Sequence, residues 1–282
     1  MVGVSRQKYY RAGWRTRTKQ SLAGEVVAMV LPVRRQMPRI GGKKLYYLLQ
    51  EPLTALGVGR DKFFDILRAN RMLVEPKRQY RTTTDSRHMF RKHKNLILDY
   101  VPVRPEEVWV SDITYIGTRN KHAYLALVTD AYSKKVVGYD LSDSLEANGA
   151  VRALKMANRM RQYRQEPLIH HSDRGIQYCC DVYQKELQQC GLKVSMTESY
   201  DPYANAVAER VNGILKQEFL LEELNADLPT LRKIVGQSVA TYNGLRPHLS
   251  CGMLTPNQMH HQRAVAIKTY RRKLEQTAVC SN

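Results

Sequence analysis

Two hydrophobic periods alternate along the middle of this chain. Val108-Trp-Val-Ser-Asp-Ile-Thr-Tyr-Ile116 is dense in β-branched and aromatic residues and reads as a strand. Tyr124-Leu-Ala-Leu-Val-Thr129 and Lys135-Val-Val-Gly-Tyr139 read as two more, with Asp130 and Ser133 marking the short turn between them. Ala147, Ala150, Val151, Leu154 and Ala157 then recur at helical spacing as far as Arg161. Pro167-Leu-Ile-His-His171 predicts a fourth strand. Val182, Leu187 and Cys190 carry a helix, Gly191 to Met196 a fifth strand, and Asn205 to Leu221 a further helix. Three strands followed by alternating helices and strands predict an α/β fold: a mixed five-stranded sheet with helices on its faces.

Helical patterns flank this block. The first third of the chain is helical throughout, and helical spacing resumes through Leu228, Leu231, Ile234 and Val239 to Tyr242-Asn-Gly-Leu-Arg-Pro-His248. From His260 onward the chain is basic and reads as an exposed helix or tail. The expected organisation is an all-α basic region over 1–75, a basic linker over 76–100, a core over 101–222 and a helical C-terminal extension with a basic tail over 223–282.

Charge adds a partner to this picture. The 282 residues carry 45 Lys and Arg against 26 Asp and Glu, a formal +19. The excess is segregated: 22 basic and 6 acidic residues fall between Met1 and Ile97, and the remaining 23 and 20 nearly cancel. A short region holding most of the excess is the footprint of a polyanion-binding module. That region also repeats itself. Gly3-Val-Ser-Arg-Gln-Lys-Tyr-Tyr10 aligns with Gly57-Val-Gly-Arg-Asp-Lys-Phe-Phe64, with four identities and two retained aromatics. A Gly-Val turn followed by Arg and Lys suits the turn and recognition-helix start of a helix-turn-helix, which puts Arg6, Lys8, Arg60 and Lys62 toward nucleic acid. The other reading is two similar helix starts. The polar stretch from Val74 to Lys94 reads as a linker, either along a phosphate backbone or simply solvated.

No apolar run approaches the roughly 18 residues a membrane span needs. The basic N-terminus offers no signal-peptide pattern. The expectation is a cytoplasmic, nucleoid-associated protein. Cys179, Cys180, Cys190, Cys251 and Cys280 have no zinc-finger spacing and read as reduced thiols.

Three acids stand out by placement. Asp112 lies mid-strand, where a charge is unexpected unless it faces a site. Asp173 lies where the fourth strand ends, before the sharp Arg174-Gly175 turn, and ligand sites in open α/β sheets lie at strand carboxyl ends. Glu209 lies on the last core helix. At 100° per residue, Asn205, Glu209, Asn212 and Lys216 fall within about 60° of one another, with Val207, Val211 and Ile214 opposite. Clustered carboxylates repel, and their natural use is to hold hard divalent cations. Such ions activate an oxygen nucleophile and stabilise a leaving oxygen in phosphoryl transfer. Lys216 can reach a phosphate from the same helix face.

Sixty residues separate Asp112 from Asp173, and 35 separate Asp173 from Glu209, with Lys216 seven beyond. This spacing resembles the DD(35)E signature of retroviral-type integrases and of a large bacterial insertion-sequence transposase family. Trp109-Val-Ser-Asp-Ile-Thr-Tyr115, His171-Ser-Asp-Arg-Gly-Ile-Gln-Tyr178, Asn205-Ala-Val-Ala-Glu-Arg-Val-Asn212, Tyr242-Asn-Gly-Leu-Arg-Pro-His248 and Thr255-Pro256 resemble the blocks of that family's second-reading-frame (OrfB) product. The match runs from about Gly41 to Gln262.

The resemblance implies an RNase H-like fold and dependence on Mg²⁺, with Mn²⁺ substituting and two ions bound. It implies cleavage and strand transfer at terminal inverted repeats, water attacking first and a freed 3′-hydroxyl second. Asp112, Asp173 and Glu209 would be the catalytic metal ligands. Partners would be duplex DNA, further copies of the chain on that DNA, and the upstream-frame (OrfA) product. The chain departs from the pattern in three ways. It has no cysteine before Cys179 for an integrase-type zinc domain, Arg210 stands where Ser is usual, and no heptad run is evident. The upstream frame often supplies the end-binding helix-turn-helix and zipper, so this chain is expected to be the catalytic portion of a longer active protein.

Other residues carry paired readings. His171 shares a strand face with Asp173, and either touches substrate, orders Asp173 or bonds structurally. Asp130 reads as a turn residue. Tyr242, Asn243, Arg246 and His248 form a polar set suited to DNA contact or to internal hydrogen bonding, and Arg174 sits beside the site as a further DNA contact. Tyr200-Asp-Pro-Tyr203 is a gate before the catalytic helix or an ordinary loop. Against an active transposase stand a catalytically silent DNA-binding relative, which the intact acid triad disfavours, and a nuclease of the same fold acting on RNA–DNA hybrids.

Overall fold

The computed structural model describes residues 6–75, 93–98, 100–118, 121–197 and 206–265. The basic linker, except its last few residues, the Tyr200–Tyr203 loop, Asn205 and the tail beyond 265 lie outside the described residues.

Four helices open the chain: α1 (Arg6–Gln36), α2 (Gly42–Leu48), α3 (Gln50–Ala55) and α4 (Arg60–Ala69). The second repeat copy is a turn and a helix start, as read. Gly57 takes a φ of +63°, which glycine adopts without Cβ strain, and Gly59 caps α4. In the first copy the helix likewise opens at the aligned arginine, Arg6, and Gly3-Val-Ser5 lies outside the described residues. Arg6 to Tyr10 are the opening turns of a 31-residue helix, with every residue from 6 to 21 exposed.

The sheet is built from β1 (Val108–Thr118), β2 (Lys121–Asp130), β3 (Val136–Ser142), β4 (Ile169–Ser172) and β5 (Lys193–Met196), in the order β3-β2-β1-β4-β5. The first three strands form an antiparallel meander, and β4 and β5 add in parallel. Between them run α5 (Ala147–Met160), the short α6 (Ile176–Cys179) and α7 (Asp181–Gln189). After β5 come α8 (Ala206–Glu218), α9 (Leu228–Leu245) and α10 (Pro256–His260). The expected single helix through Val182 is two, because Cys180 goes extended between α6 and α7.

Strand alternation sorts the two faces. Trp109, Ala126, Val128 and Val137 pack with α5 and α7. There α5 presses on β3 so closely that a Cβ at Gly138 would lie 2.1 Å from the Ala153 carbonyl oxygen. The other face presents Ile116, Leu125, Leu127 and Leu141 to α8 and α9. The same apolar cluster runs on through Val26, Val30, Leu45, Leu53, Phe63 and Leu67 of the N-terminal helices. Those helices are therefore packed against the core rather than tethered to it, and the Arg39 amide donates to the Glu218 carbonyl at 2.9 Å. No helix among the described residues is long and apolar enough to cross a membrane.

Candidate active site

The site forms on the α8 face of the sheet. Asp112 is a mid-strand residue of β1, flanked on its own face by Val110 and Thr114. The parallel register sets His171 of β4 beside Val110, which places Asp173, one residue past the strand, above the same face. α8 crosses over these positions. Its Ala208, Val211, Asn212 and Leu215 are buried against the sheet, and Glu209 stands at the exposed edge of the contact.

The Asp112 carboxylate is held by amides. Asn212 Nδ2 donates to Oδ2 at 2.7 Å, and the Ile113 amide donates to Oδ1 at 2.9 Å. Burial lifts its pKa to about 7. The Asp173 charge adds to the rise, the two amide bonds oppose it, and Glu209 adds a little more. Burial and Asp173 likewise raise Glu209. Each of these carboxyls thus sits within electrostatic reach of Asp173. Asp173 takes the Gly175 amide on Oδ1 at 3.0 Å, which tightens the turn predicted there. Among the described residues, no three His, Cys, Asp or Glu side chains lie grouped closely enough to hold a metal ion as they stand. The triad is an open set of hard oxygen donors whose mutual repulsion a divalent cation would relieve, and in that respect it fits such an ion.

The surrounding residues separate into those the structure brings to this site and those it does not. Lys216 lies two turns from Glu209, its Nζ 3.4 Å from Thr114 Oγ1 over β1. Arg174 is half-buried in the turn after Asp173. Asn212 is 4% exposed. Its role is to position Asp112, which leaves no surface for the DNA contact expected of it. His171 is fully buried with Nδ1 2.8 Å from Ser195 Oγ, a structural hydrogen bond to β5. Its neighbour His170 faces the opposite layer, where Nε2 lies 2.7 Å from Ser111 Oγ and 2.9 Å from Tyr183 Oη, and burial drives its pKa down to about 3. Arg6, Lys8, Arg60 and Lys62 are exposed on α1 and α4.

Arg246 and His248 overturn the DNA-contact expectation. Arg246 is 1% exposed. It donates to Glu218 from Nε at 2.8 Å and from Nη2 at 2.7 Å, and from Nη1 to His248 Nε2 at 2.9 Å. Burial and the adjacent arginine hold the imidazole neutral, its pKa pushed down to about 2. Lys44 of α2 reaches the same carboxylate at 3.1 Å. Asn243 accepts from the Val136 amide and donates to its carbonyl, at 3.0 and 2.9 Å, pairing with β3 as another strand would. The Tyr-Asn-Gly-Leu-Arg-Pro-His block is therefore an internal clamp.

Three further acids matter: Asp130, read only as a turn residue, and Glu106 and Glu218, which the sequence reading missed. Asp130 does hold its turn, accepting from the Ser133 amide at 2.7 Å and its hydroxyl at 2.6 Å. It is also fully buried, and together with Glu106 it flanks His260 at 3.8 and 3.5 Å. His260 is thus the buried end of α10, whereas an exposed start to the tail was expected. The available signal for Glu218 was its place seven residues after Val211 and four after Ile214, on the apolar stripe of α8.

The mixed sheet in the order β3-β2-β1-β4-β5 and its flanking helices define an RNase H-like core, with carboxylates on β1, after β4 and on α8 toward one face. Two family models, both described as integrase core domain, match residues 102–202 and 190–256. The IS600 uncharacterized 31 kDa protein of Shigella sonnei is 32% identical over 94% of this chain and 98% of its own length. Transposase InsF for insertion sequence IS3fB of Escherichia coli K12 is 33% identical over 70% of this chain and 68% of its own. A chain of the simian T-cell lymphotropic virus intasome shares 19% identity over 83% of this chain and 79% of that one, with a TM-score of 0.48. The chain belongs to the insertion-sequence transposases with an integrase core domain, and it is a DNA transposase.

Proposed function

We propose that Asp112, Asp173 and Glu209 are the catalytic residues and hold divalent cations, two Mg²⁺ ions with Mn²⁺ able to replace them. The observation that carries this reading is the electrostatic state of the site: Asp112 and Glu209 are both raised by partial or full burial and by the Asp173 charge, with Asp112 held only by neutral amides. Bound there, the ions supply charge screening for the scissile phosphate and a more acidic attacking oxygen. Asn212 fixes the rotamer of Asp112, the Gly175 amide fixes Asp173, and Lys216 and Arg174 contact the DNA backbone, as does Asn205, which lies outside the described residues. The reaction is cleavage and then strand transfer at the terminal inverted repeats of an insertion sequence.

The organisation that goes with this reading is a DNA-binding region over 1–75 with Arg6, Lys8, Arg60 and Lys62 as contacts, a basic linker over 76–100, a catalytic core over 101–222 and a supporting helical extension over 223–282. The enzyme works in the bacterial cytoplasm at the nucleoid, as a homo-multimer on two element ends and together with the upstream-frame product. Labelled element ends incubated with the chain and Mg²⁺ test the chemistry. Cleavage is expected from wild type and is expected to vanish in Asp112→Asn and in Glu209→Gln. Undiminished cleavage by either variant would sink the assignment. Preferential cleavage of an RNA–DNA hybrid would favour a nuclease instead.

A further inference from the structure

The long first helix is half covered. Leu22, Val26, Met29, Val30 and Val33, spaced three or four apart, form the stripe that α1 buries against the body of the protein. Continued toward the N-terminus at the same spacing, that stripe reads Lys19, Arg15, Arg11 and Lys8. One face of one helix is thus apolar where it packs on the body and cationic where it stands exposed. The uncovered half is about 24 Å long at 1.5 Å per residue. Between Arg6 and Gly24 it holds six cations and no acid. Arg11, Arg15 and Lys19 repel one another at i,i+4 spacing, and a helix of this length is marginal in water by itself. Such a segment is stabilised by an anionic partner laid along its stripe.

We infer that this projecting half of α1 clamps the phosphate backbone of duplex DNA, with Lys8, Arg11, Arg15 and Lys19 as the contact stripe. The four cations extend over about 16 Å, the length of about five phosphates of one strand at 3.4 Å spacing. Because the stripe continues the face that packs on the body, the duplex lies on the body side of the arm. Tyr10 and Trp14, 71% and 70% exposed, point to a different side of the helix and stay outside the clamp. A second copy of the chain is the poorer occupant, since its own stripe would repel this one. The inference rests on the reading of 1–75 as a DNA-binding region and assigns the surface.

Its test is the salt dependence of duplex binding by the full chain. One variant carries Lys8→Ala, Arg11→Ala, Arg15→Ala and Lys19→Ala, alanine preserving the helix. A charge-matched control carries Arg159→Ala, Lys185→Ala, Lys193→Ala and Lys233→Ala, all exposed on other elements. The stripe variant should lose about 3 to 4 units of the log K against log salt slope, at about 0.9 per phosphate contact. The control should lose under about 1, and both should melt with wild type. Equal losses in the two variants, or no loss in the stripe variant, overturn the clamp while leaving DNA binding by the region intact. A stripe variant that alters sedimentation instead of the slope assigns the surface to a second copy and also overturns it. No duplex binding by wild type overturns the DNA-binding reading and the clamp together.

Discussion

Arg246→Ala should unfold this protein more readily without first weakening its grip on DNA. The guanidinium makes two charged hydrogen bonds to Glu218, a third to His248, and is sealed from water. Alanine there leaves Glu218, only 15% exposed, with Lys44 as its remaining partner among the ion pairs it makes. Removing one member of a buried pair costs about 3–5 kcal/mol. For a chain of this size each kcal/mol lowers the melting temperature by about 2–4 °C, so a fall of roughly 6–20 °C is expected. Lysine should rescue only part of this, since it cannot make the bidentate contact. The pH dependence has a definite sign. Burial works against the Glu218 carboxylate, but Arg246 outweighs it and the pKa is lowered. The pair therefore contributes stability above the ordinary carboxylate range, and that contribution is lost as pH falls through the depressed folded value. Thermal melts of wild type and variant at pH 7 and pH 3 should differ widely at the first and converge at the second. An exposed DNA-contacting arginine would do the opposite, flattening the salt slope by about 1 with the melt unchanged. A melting temperature within about 2 °C of wild type at pH 7 would refute the clamp.

In metal-free protein, Asp112 with its pKa near 7 favours the folded state less as pH rises, because the unfolded chain ionises freely from the ordinary value upward while the buried carboxyl does not. Asp112→Asn should therefore raise the metal-free melting temperature at pH 8, by up to about 4 kcal/mol of stability, and identical melts would contradict this. Asn212→Ala removes the bond that lowers Asp112; the Mg²⁺ concentration for half-maximal cleavage should increase, and an unchanged metal requirement would assign Asn212 to packing alone. His260 is raised: burial opposes its charge, but Asp130 and Glu106 outweigh it. Its stabilising charge is complete below the ordinary histidine value and lost as pH climbs through the raised one, so His260→Gln should flatten the melt-against-pH curve in that range, and a parallel curve would count against the buried ion cluster.

What could be read before folding was whatever chain neighbours determine. β1, β2 and β3 follow from local β-branched density, and α5 and α8 from their spacing, so the sheet's composition and the three acids were legible. Asp112 was conspicuous because a charge in a hydrophobic strand has few bland explanations. Arg246 and His248 were misassigned for the converse reason. An arginine in a Leu-Arg-Pro setting looks exposed unless its partner is known, and Glu218 lies 28 residues earlier on another helix. His260 was misjudged in the same way, since Glu106 and Asp130 sit more than a hundred residues upstream. Periodicity reports which face of an element is apolar. It carries no information about which distant charge closes over a polar one.

The acids of this fold, compared with one another, set the candidate site apart. Glu106, Asp130 and Glu218 are all deeply placed, and burial raises each of them, yet each ends below its ordinary value because a cation or a set of donors answers it. His260 serves the first two, and Arg246 with Lys44 serves the third. Asp112 and Glu209 go the other way: burial and Asp173 raise both. The same chain that answers three internal acids with basic side chains at two sites supplies Asp112 with neutral amides only. An uncompensated cluster costs folding stability, and such strain is concentrated where function requires it. A divalent cation bound there would supply the compensation that the chain does not. On this argument, an aspartate-to-lysine change at Asp112 would not merely remove a ligand. It would supply internally the charge the site is built to lack, and the protein should become metal-indifferent in its melting and inert in cleavage; a variant that still gained stability from Mg²⁺ would show that the cation binds elsewhere.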